Sequence, residues 1–141
     1  YFIKKYYEPD LQLKFINNLL KLANTSIDIS DGLIDDLKKM INRQSVSFHI
    51  FEKNIPISNS LSQLIKIKKL RKIDVTSRGD DYQILFTANP IKSRIIKRIS
   101  NNTGIKITKI GKIISGRNKS KIINIKNKQI EAKNKGYIHQ F

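Results

Sequence analysis

The sequence predicts an α+β fold: one domain with a mixed or antiparallel sheet packed with helices. Amphipathic helical patterns alternate irregularly with short apolar strands, which is typical of this class. No linker-like stretch divides residues 1–141, and there is no internal repeat. With 141 residues, 39% of them hydrophobic, the chain is long enough to bury one core.

The first part of the chain predicts two helices on either side of a short strand. Pro9 is suited to the first position of a helix, and residues 26–29 follow that helix as a strand. The second helix is expected to begin with Ser30 as its N-cap and to carry Asp35 and Asp36 on its polar face. The residues expected on its buried face are Leu33, Ile34, Leu37, Met40 and Ile41.

The rest of the chain predicts more strands than helices. A short helix is expected over residues 58–67, and a third amphipathic helix opens at Asn89-Pro90. The residues expected on the inward face of that third helix are Ile91, Ile95, Ile96 and Ile99. The expected strands are residues 46–51, 82–87, 105–114 and 121–125, with a last short strand after a turn at 127–128.

The composition restricts the partners and the compartment. The formal net charge is +17, but the 28 basic residues are scattered among many Ile and Asn residues and form no single block. We therefore do not expect nucleic acid to be the partner, although such a charge alone favours it. The chain has no cysteine and no apolar run long enough to span a membrane, which fits a reducing cytoplasm.

The densest chemistry lies at the predicted strand-to-helix junction. Asp28, Ser30 and Asp31 follow one another there. Two carboxylates beside free helix-start amides suit a hard cation and a phosphate, because Mg²⁺ takes oxygen ligands and retains substrate phosphates. The alternative is plain helix capping, which is common for a Ser-Asp pair. From the residues alone, both interpretations stay open.

Two further segments carry possible functional groups. Gly79-Asp80-Asp81 precedes a predicted strand and is either a cation or ligand loop or a simple polar turn. Near the C-terminus, Tyr137 and Phe141 flank His139 and either stack on a flat heterocycle or fill the core.

Taken in order, three segments resemble one family. They are Asp28-Ile29-Ser30-Asp31-Gly32-Leu33 with Asp36-Leu37, then Gly79 to Thr87, then Gly136-Tyr137 with His139. This combination resembles the C-terminal half of thiamine-monophosphate kinase, within the aminoimidazole-ribonucleotide synthetase-related superfamily. The resemblance extends over essentially the whole chain and implies that superfamily's C-terminal α+β domain.

The resemblance implies a phosphotransferase that moves the γ-phosphoryl group of ATP onto thiamine monophosphate and gives thiamine diphosphate with Mg²⁺. By motif position, it implies that Asp28 and Asp31 hold magnesium and that Ser30 contacts the nucleotide. Asp80 is expected to meet the substrate, and Tyr137 to pack on its ring system. No residue is assigned a covalent role, because phosphoryl transfer depends mainly on positioning and charge neutralisation.

The sequence also departs from the family pattern. Arg78 replaces the first of two glycines, Gln83 replaces a glutamate, and Gln140 interrupts the aromatic end. Arg78 would be strained if its position required a positive φ.

The family's N-terminal half, which carries much of the ATP and magnesium site, is absent from this chain. We therefore expect the chain alone to lack appreciable kinase activity. It is either cut from a longer enzyme or encoded by a split or decayed gene, and the partners considered are a separately encoded N-terminal half and a second copy of the chain. The alternatives are a non-catalytic binding module with the same fold and, third, a basic nucleic-acid binder.

Overall fold

A computed structural model describes residues 2–8 and 13–132. Its helices are α1 (Phe2–Tyr7), α2 (Leu13–Leu22), α3 (Leu33–Met40), α4 (Asn59–Ile67), α5 (Lys72–Thr76) and α6 (Ser93–Thr103). Its strands are β1 (Thr25–Asp28), β2 (Val46–Phe51), β3 (Ile84–Thr87), β4 (Gly111–Ser115), β5 (Lys121–Ile123) and β6 (Gln129–Ile130). Two 3₁₀ segments, Glu52–Asn54 and Pro90–Lys92, complete the regular structure in these ranges.

The strands form two sheets. β1 and β3 are an antiparallel pair in which Asp28 lies opposite Ile84. The other four strands have the order β4-β2-β5-β6, in which β2 is antiparallel to β4 and parallel to β5. The predicted α+β fold with a mixed sheet is confirmed.

One hydrophobic core joins both sheets through α3. The apolar face of α3 packs with Phe48 of β2, Leu85 of β3 and Ile73 of α5. Burial of each aliphatic side chain of this kind stabilises a fold by roughly 1.5–3 kcal/mol. The core therefore fixes α3 against the end of the β1–β3 pair, where the acidic residues lie.

The start of α3 differs from the sequence prediction. The helix begins at Leu33, and Gly32 is its N-cap with φ of 123° and no side-chain capping bond. Ser30 therefore lies in the loop before the helix, and its prediction as N-cap is wrong. Asp36, expected on the polar face, is only 1% exposed.

Other elements also depart from the predicted pattern. α5 was not predicted, because five residues carry too little periodicity to identify a helix. The amphipathic helix after Pro90 forms, but α6 buries none of its residues among the described parts of the chain, and Ile91 before it is 88% exposed. Pro9 lies outside the described residues. Within the described ranges, no helix is both long and apolar enough to cross a membrane.

Candidate functional site

Two loops lie side by side at the end of the β1–β3 pair. The Tyr82 amide donates to the Ile29 carbonyl, and the Ile29 amide donates to the Gln83 carbonyl, both at 2.9 Å. Next to these bonds, the Asp80 amide donates to the Ser30 carbonyl, also at 2.9 Å. The structure thus joins the two acidic segments, some fifty positions apart in the sequence, through main-chain hydrogen bonds. We call residues 28–32 the first loop and residues 77–83 the second loop.

Two glycines allow the loops to approach this closely. A Cβ atom on Gly32 would lie 2.5 Å from the Ser77 carbonyl oxygen, and one on Gly79 would lie 2.3 Å from the Ser30 carbonyl oxygen. Both residues also have positive φ, 123° and 92°. Any side chain at either position would therefore clash with backbone and adopt a conformation that favours glycine.

Asp36 holds the first loop in shape. Its Oδ2 atom accepts hydrogen bonds from the backbone amides of Ser30, Asp31 and Gly32 at 3.0, 2.9 and 3.1 Å. A buried carboxylate that accepts several amide hydrogen bonds fixes the positions of the atoms around it. Asp36 is therefore a positioning residue for this loop.

Lys39 pairs with one carboxylate of the first loop and one of α3. Its ammonium forms a salt bridge with Asp31 and lies 3.2 Å from the Asp36 Oδ1 atom. The hydrogen bond to Asp31 raises the pKa of Lys39 above its ordinary value, although desolvation opposes the shift. The Lys39 ammonium group therefore contacts Asp31, the residue predicted to hold magnesium.

The second loop has strained backbone and one perturbed acid. Asp80 and Tyr82 both have positive φ, 59° and 48°, which is uncommon for residues other than glycine. Desolvation, together with the nearby negative charge of Asp80, raises the pKa of Asp81 from its ordinary 3.8 to about 6. Arg78 is exposed and does not have a positive φ, so the strain that its replacement of glycine suggested is absent.

The predicted site residues fall into three groups. Asp28, Ser30 and Asp31 all lie in the first loop, Asp28 exposed and the other two half-buried. Asp80 is exposed in the adjoining second loop. Tyr137, Phe141 and His139 lie outside the described residues. The structure thus brings two of the three family motifs together.

Sequence reasoning missed the roles of Asp36 and Lys39. A usable signal existed, since Asp36 falls within the apolar spacing Leu33, Leu37, Met40 and so lies on the buried face of α3. A carboxylate on such a face needs buried partners, and the nearest unpaired amides belong to the first loop.

The acidic residues of the two loops do not by themselves form a complete metal centre. Across the described ranges, no group of three or more His, Asp or Glu side chains is arranged to hold a metal ion. Mg²⁺, however, commonly takes one or two carboxylates and completes its shell with phosphates and water. In this structure Asp28 is exposed, and Asp31 already has the Lys39 ammonium as its positively charged partner.

An α+β scaffold with two joined acidic loops is suited to the class of proteins that handle phosphate through a cation. No protein-family model matches the chain. The chain is 34% identical over 142 aligned positions to the thiamine-monophosphate kinase of Buchnera aphidicola subsp. Schizaphis graminum, an alignment that covers 99% of this chain and 42% of that protein. The enzyme of the same name from Aquifex aeolicus is 33% identical over 86 residues, or 60% of this chain and 28% of the relative.

Solved structures give the same result. AaThiL complexed with AMPPCP and TMP matches 98% of this chain and 40% of its own, with a TM-score of 0.72 and 27% identity. The thiamine-monophosphate kinase of Stenotrophomonas maltophilia K279a matches 81% of this chain and 35% of its own, with a TM-score of 0.69 and 27% identity. The resemblance is confirmed: the chain is homologous to a C-terminal part of the thiamine-monophosphate kinases and spans less than half the length of these relatives.

Proposed function

We propose that the chain is the C-terminal part of a thiamine-monophosphate kinase, acting in the cytoplasm, and that its two joined loops position phosphate groups. The observation that carries this proposal is the pair of main-chain hydrogen bonds from the Asp80 and Tyr82 amides to the first loop. They bring Asp28, Asp31 and Asp80 to one end of a two-stranded sheet. The relatives of that name and the neighbour complexed with AMPPCP and TMP support the choice of substrates.

In the proposed reaction, a phosphate oxygen of thiamine monophosphate attacks the γ-phosphorus of ATP. The bond from that phosphorus to the β-phosphate oxygen breaks, which gives thiamine diphosphate and ADP. Bound Mg²⁺ supplies neutralisation of the charge on the phosphate oxygens. No residue of this chain need form a covalent bond, since such transfers depend on positioning.

Each residue then has a distinct task. Asp28 and Asp31 are the proposed magnesium ligands, and Ser30 is the proposed nucleotide contact. Asp36 keeps the first loop in register through its three amide bonds. Asp80 faces the substrate from the second loop, and Tyr137 packs on the ring system of thiamine monophosphate.

The proposed active site is incomplete in this chain. Two carboxylates give too few ligands for a catalytic magnesium pair, and the chain spans less than half of its relatives. We therefore propose that catalysis needs an N-terminal half supplied by another chain or by the rest of a longer protein.

The test is reconstitution. The 141-residue chain is assayed for thiamine diphosphate formation alone and after co-expression with the N-terminal half of the Buchnera relative. We expect no product from the chain alone, product from the pair, and loss of product with Asp31→Asn but not with Asp35→Asn. Thiamine diphosphate formation by the chain alone, at rates typical of the family, would contradict the proposal that the chain needs an N-terminal half.

The same experiment distinguishes the kinase proposal from a non-catalytic binding module. A non-catalytic module with this fold would bind thiamine monophosphate, seen as a thermal shift, yet give no product with the added half. Product formation that is indifferent to Asp31→Asn would contradict the assignment of the first loop as the magnesium loop.

A further inference from the structure

We infer that Lys39 is a built-in counter-ion of the first loop, which occupies Asp31 until a divalent cation displaces it. The inference rests on the proposed function, because it concerns the same carboxylate. It adds a property that the proposed function does not require: the chain itself competes with the cation for its ligand.

The contacts of Lys39 support this role. Its ammonium reaches Asp31, eight positions earlier in the chain, and Asp36, three positions earlier on α3. It thus leans back across the N-terminus of the helix toward the loop. There it makes the contact with the Asp31 carboxylate that a cation would make.

The two carboxylates differ in how firmly they are held. Asp36 is 1% exposed and its Oδ2 atom is committed to three amides, so it stays in place whichever cation is present. The Asp31 side chain is more open, and the Lys39 side chain is 52% exposed. Lysine has a flexible four-carbon stem, so the Lys39 ammonium can move away from Asp31 toward solvent.

Lys39 has opposite electrostatic effects on the cation-free chain and on cation binding. While Lys39 is in place, it screens Asp31 and Asp36 from each other and stabilises the cation-free chain. A divalent ion that binds Asp31 must first break this ion pair, and it is then repelled by the Lys39 ammonium, which remains nearby. Lys39 therefore weakens cation binding and prevents the empty loop from opening through like-charge repulsion.

Lys38→Met provides a matched control for Lys39→Met. Lys38 is the preceding residue on the same helix, its side chain is similarly exposed, and it pairs with Asp35 at 2.8 Å. Both variants lose one positive charge; Lys38→Met removes one surface ion pair, whereas Lys39→Met removes the ion pairs with Asp31 and with the buried Asp36. Only Lys39→Met removes the cation that lies on Asp31.

The experiment measures Mn²⁺ binding to the full chain by electron paramagnetic resonance, with Mg²⁺ calorimetry as a second readout. We expect Lys39→Met to bind Mn²⁺ roughly five- to tenfold more tightly than the unmodified chain, from removal of one nearby charge. Lys38→Met should change affinity much less. Lys39→Gln, which keeps a polar side chain, should match Lys39→Met and guards against a folding defect in one variant.

The outcomes separate this inference from the proposed function. Equal affinities in the Lys38 and Lys39 variants would overturn the counter-ion role and leave the magnesium loop intact. Weaker binding in Lys39→Met would also overturn it, because Lys39 would then assist the cation. If no variant of the chain binds Mn²⁺, the counter-ion role fails, whereas the proposed cation role of the loop is judged separately, by whether Asp31→Asn abolishes product in the reconstituted pair.

Discussion

Asp35 and Asp36 are neighbours with opposite surroundings. Asp35 pairs with Lys38 at the helix surface, whereas Asp36 is buried and receives three loop amides. Exposed ion pairs stabilise proteins by about 0–1 kcal/mol, because solvent screens them. A buried carboxylate with several donors is different, since its removal leaves each donor without a partner.

Asp36→Ala should therefore destabilise the chain strongly. We expect a loss of about 3 kcal/mol in the free energy of unfolding, measured by urea denaturation, as three loop amides lose their acceptor. Asp35→Ala is the control and should cost less than about 1 kcal/mol. Similar losses in both variants would contradict the positioning role of Asp36.

Asp81 should make stability depend on pH. Desolvation and Asp80 raise its pKa from 3.8 to about 6, so the folded chain binds more protons than the unfolded chain between those values. The contribution of Asp81 to stability is therefore fully favourable below about pH 4 and is lost as the pH rises through about 6. The effect is smaller than the shift implies, because the residue is exposed and solvent screens it.

The check compares Asp81→Asn with the unmodified chain by urea denaturation from pH 4 to pH 7. Relative to the unmodified chain, the variant should gain stability as the pH rises. Asp80→Asn should move the transition of the remaining Asp81 to lower pH. A difference between Asp81→Asn and the unmodified chain that stays constant over this range would contradict the raised pKa.

The paired loops behave as a single structural element. Their contacts are made by main-chain atoms, and Gly32 and Gly79 lie where the two backbones are closest. The conformation of each loop therefore depends on the other, although the sequence places them far apart.

Gly79→Ala should separate the two loops. Its new Cβ would lie 2.3 Å from the Ser30 carbonyl oxygen, so the backbone must shift. Gly104→Ala is the matched control, because Gly104 also has a positive φ, 69°, but has no atom within 4 Å of the built Cβ. We expect Gly104→Ala to cost about 1 kcal/mol and Gly79→Ala clearly more, measured by thermal unfolding. Equal costs would show that the loops do not depend on this approach.

The elements that could be predicted from the sequence are those with strong local patterns. The strand at Val46–Phe51 and the helix at Asn59–Ile67, capped by Ser58, lie where the pattern placed them. The five-residue α5 could not be predicted, because it depends on the distant Glu52, whose Oε1 atom accepts from the Ile73 amide at 3.2 Å.

The candidate site was predicted in part. Residue type and order identified both acidic segments, and the structure joins them. The roles of Asp36 and Lys39 depend on where α3 begins, and the Ser30 capping pattern placed the N-cap two residues before the observed N-cap, Gly32. The Ser30 capping pattern fails because the Asp36 carboxylate, from within the helix, accepts the amides of Ser30, Asp31 and Gly32 and holds them in a loop.

For the whole chain, the dominant property is its charge of +17. Such a surface binds polyanions by releasing counterions, which is not specific recognition. A groove of about 520 Å³ between α2 and α6 illustrates this, since Lys21, Lys92 and Arg98 line it. Lys92 is already engaged there with the Lys21 and Leu22 carbonyls at the end of α2.

We expect any binding to DNA or RNA to disappear between about 50 and 200 mM salt, measured by fluorescence anisotropy with two unrelated sequences. Both sequences should bind alike, because scattered lysines read only phosphate charge. Sequence-selective binding that survives the higher salt would contradict this and support a nucleic-acid function.

Where the two loops approach most closely, glycines face carbonyl oxygens, so the approach depends on backbone atoms and not on side chains. Arg78 and Gln83 project from this backbone at exposed positions, and neither side chain supplies the bonds that join the loops. Substitutions there can change the surface that the paired loops present while their backbone arrangement persists. A lineage can therefore vary the exposed side chains of these loops without redesigning the scaffold beneath them.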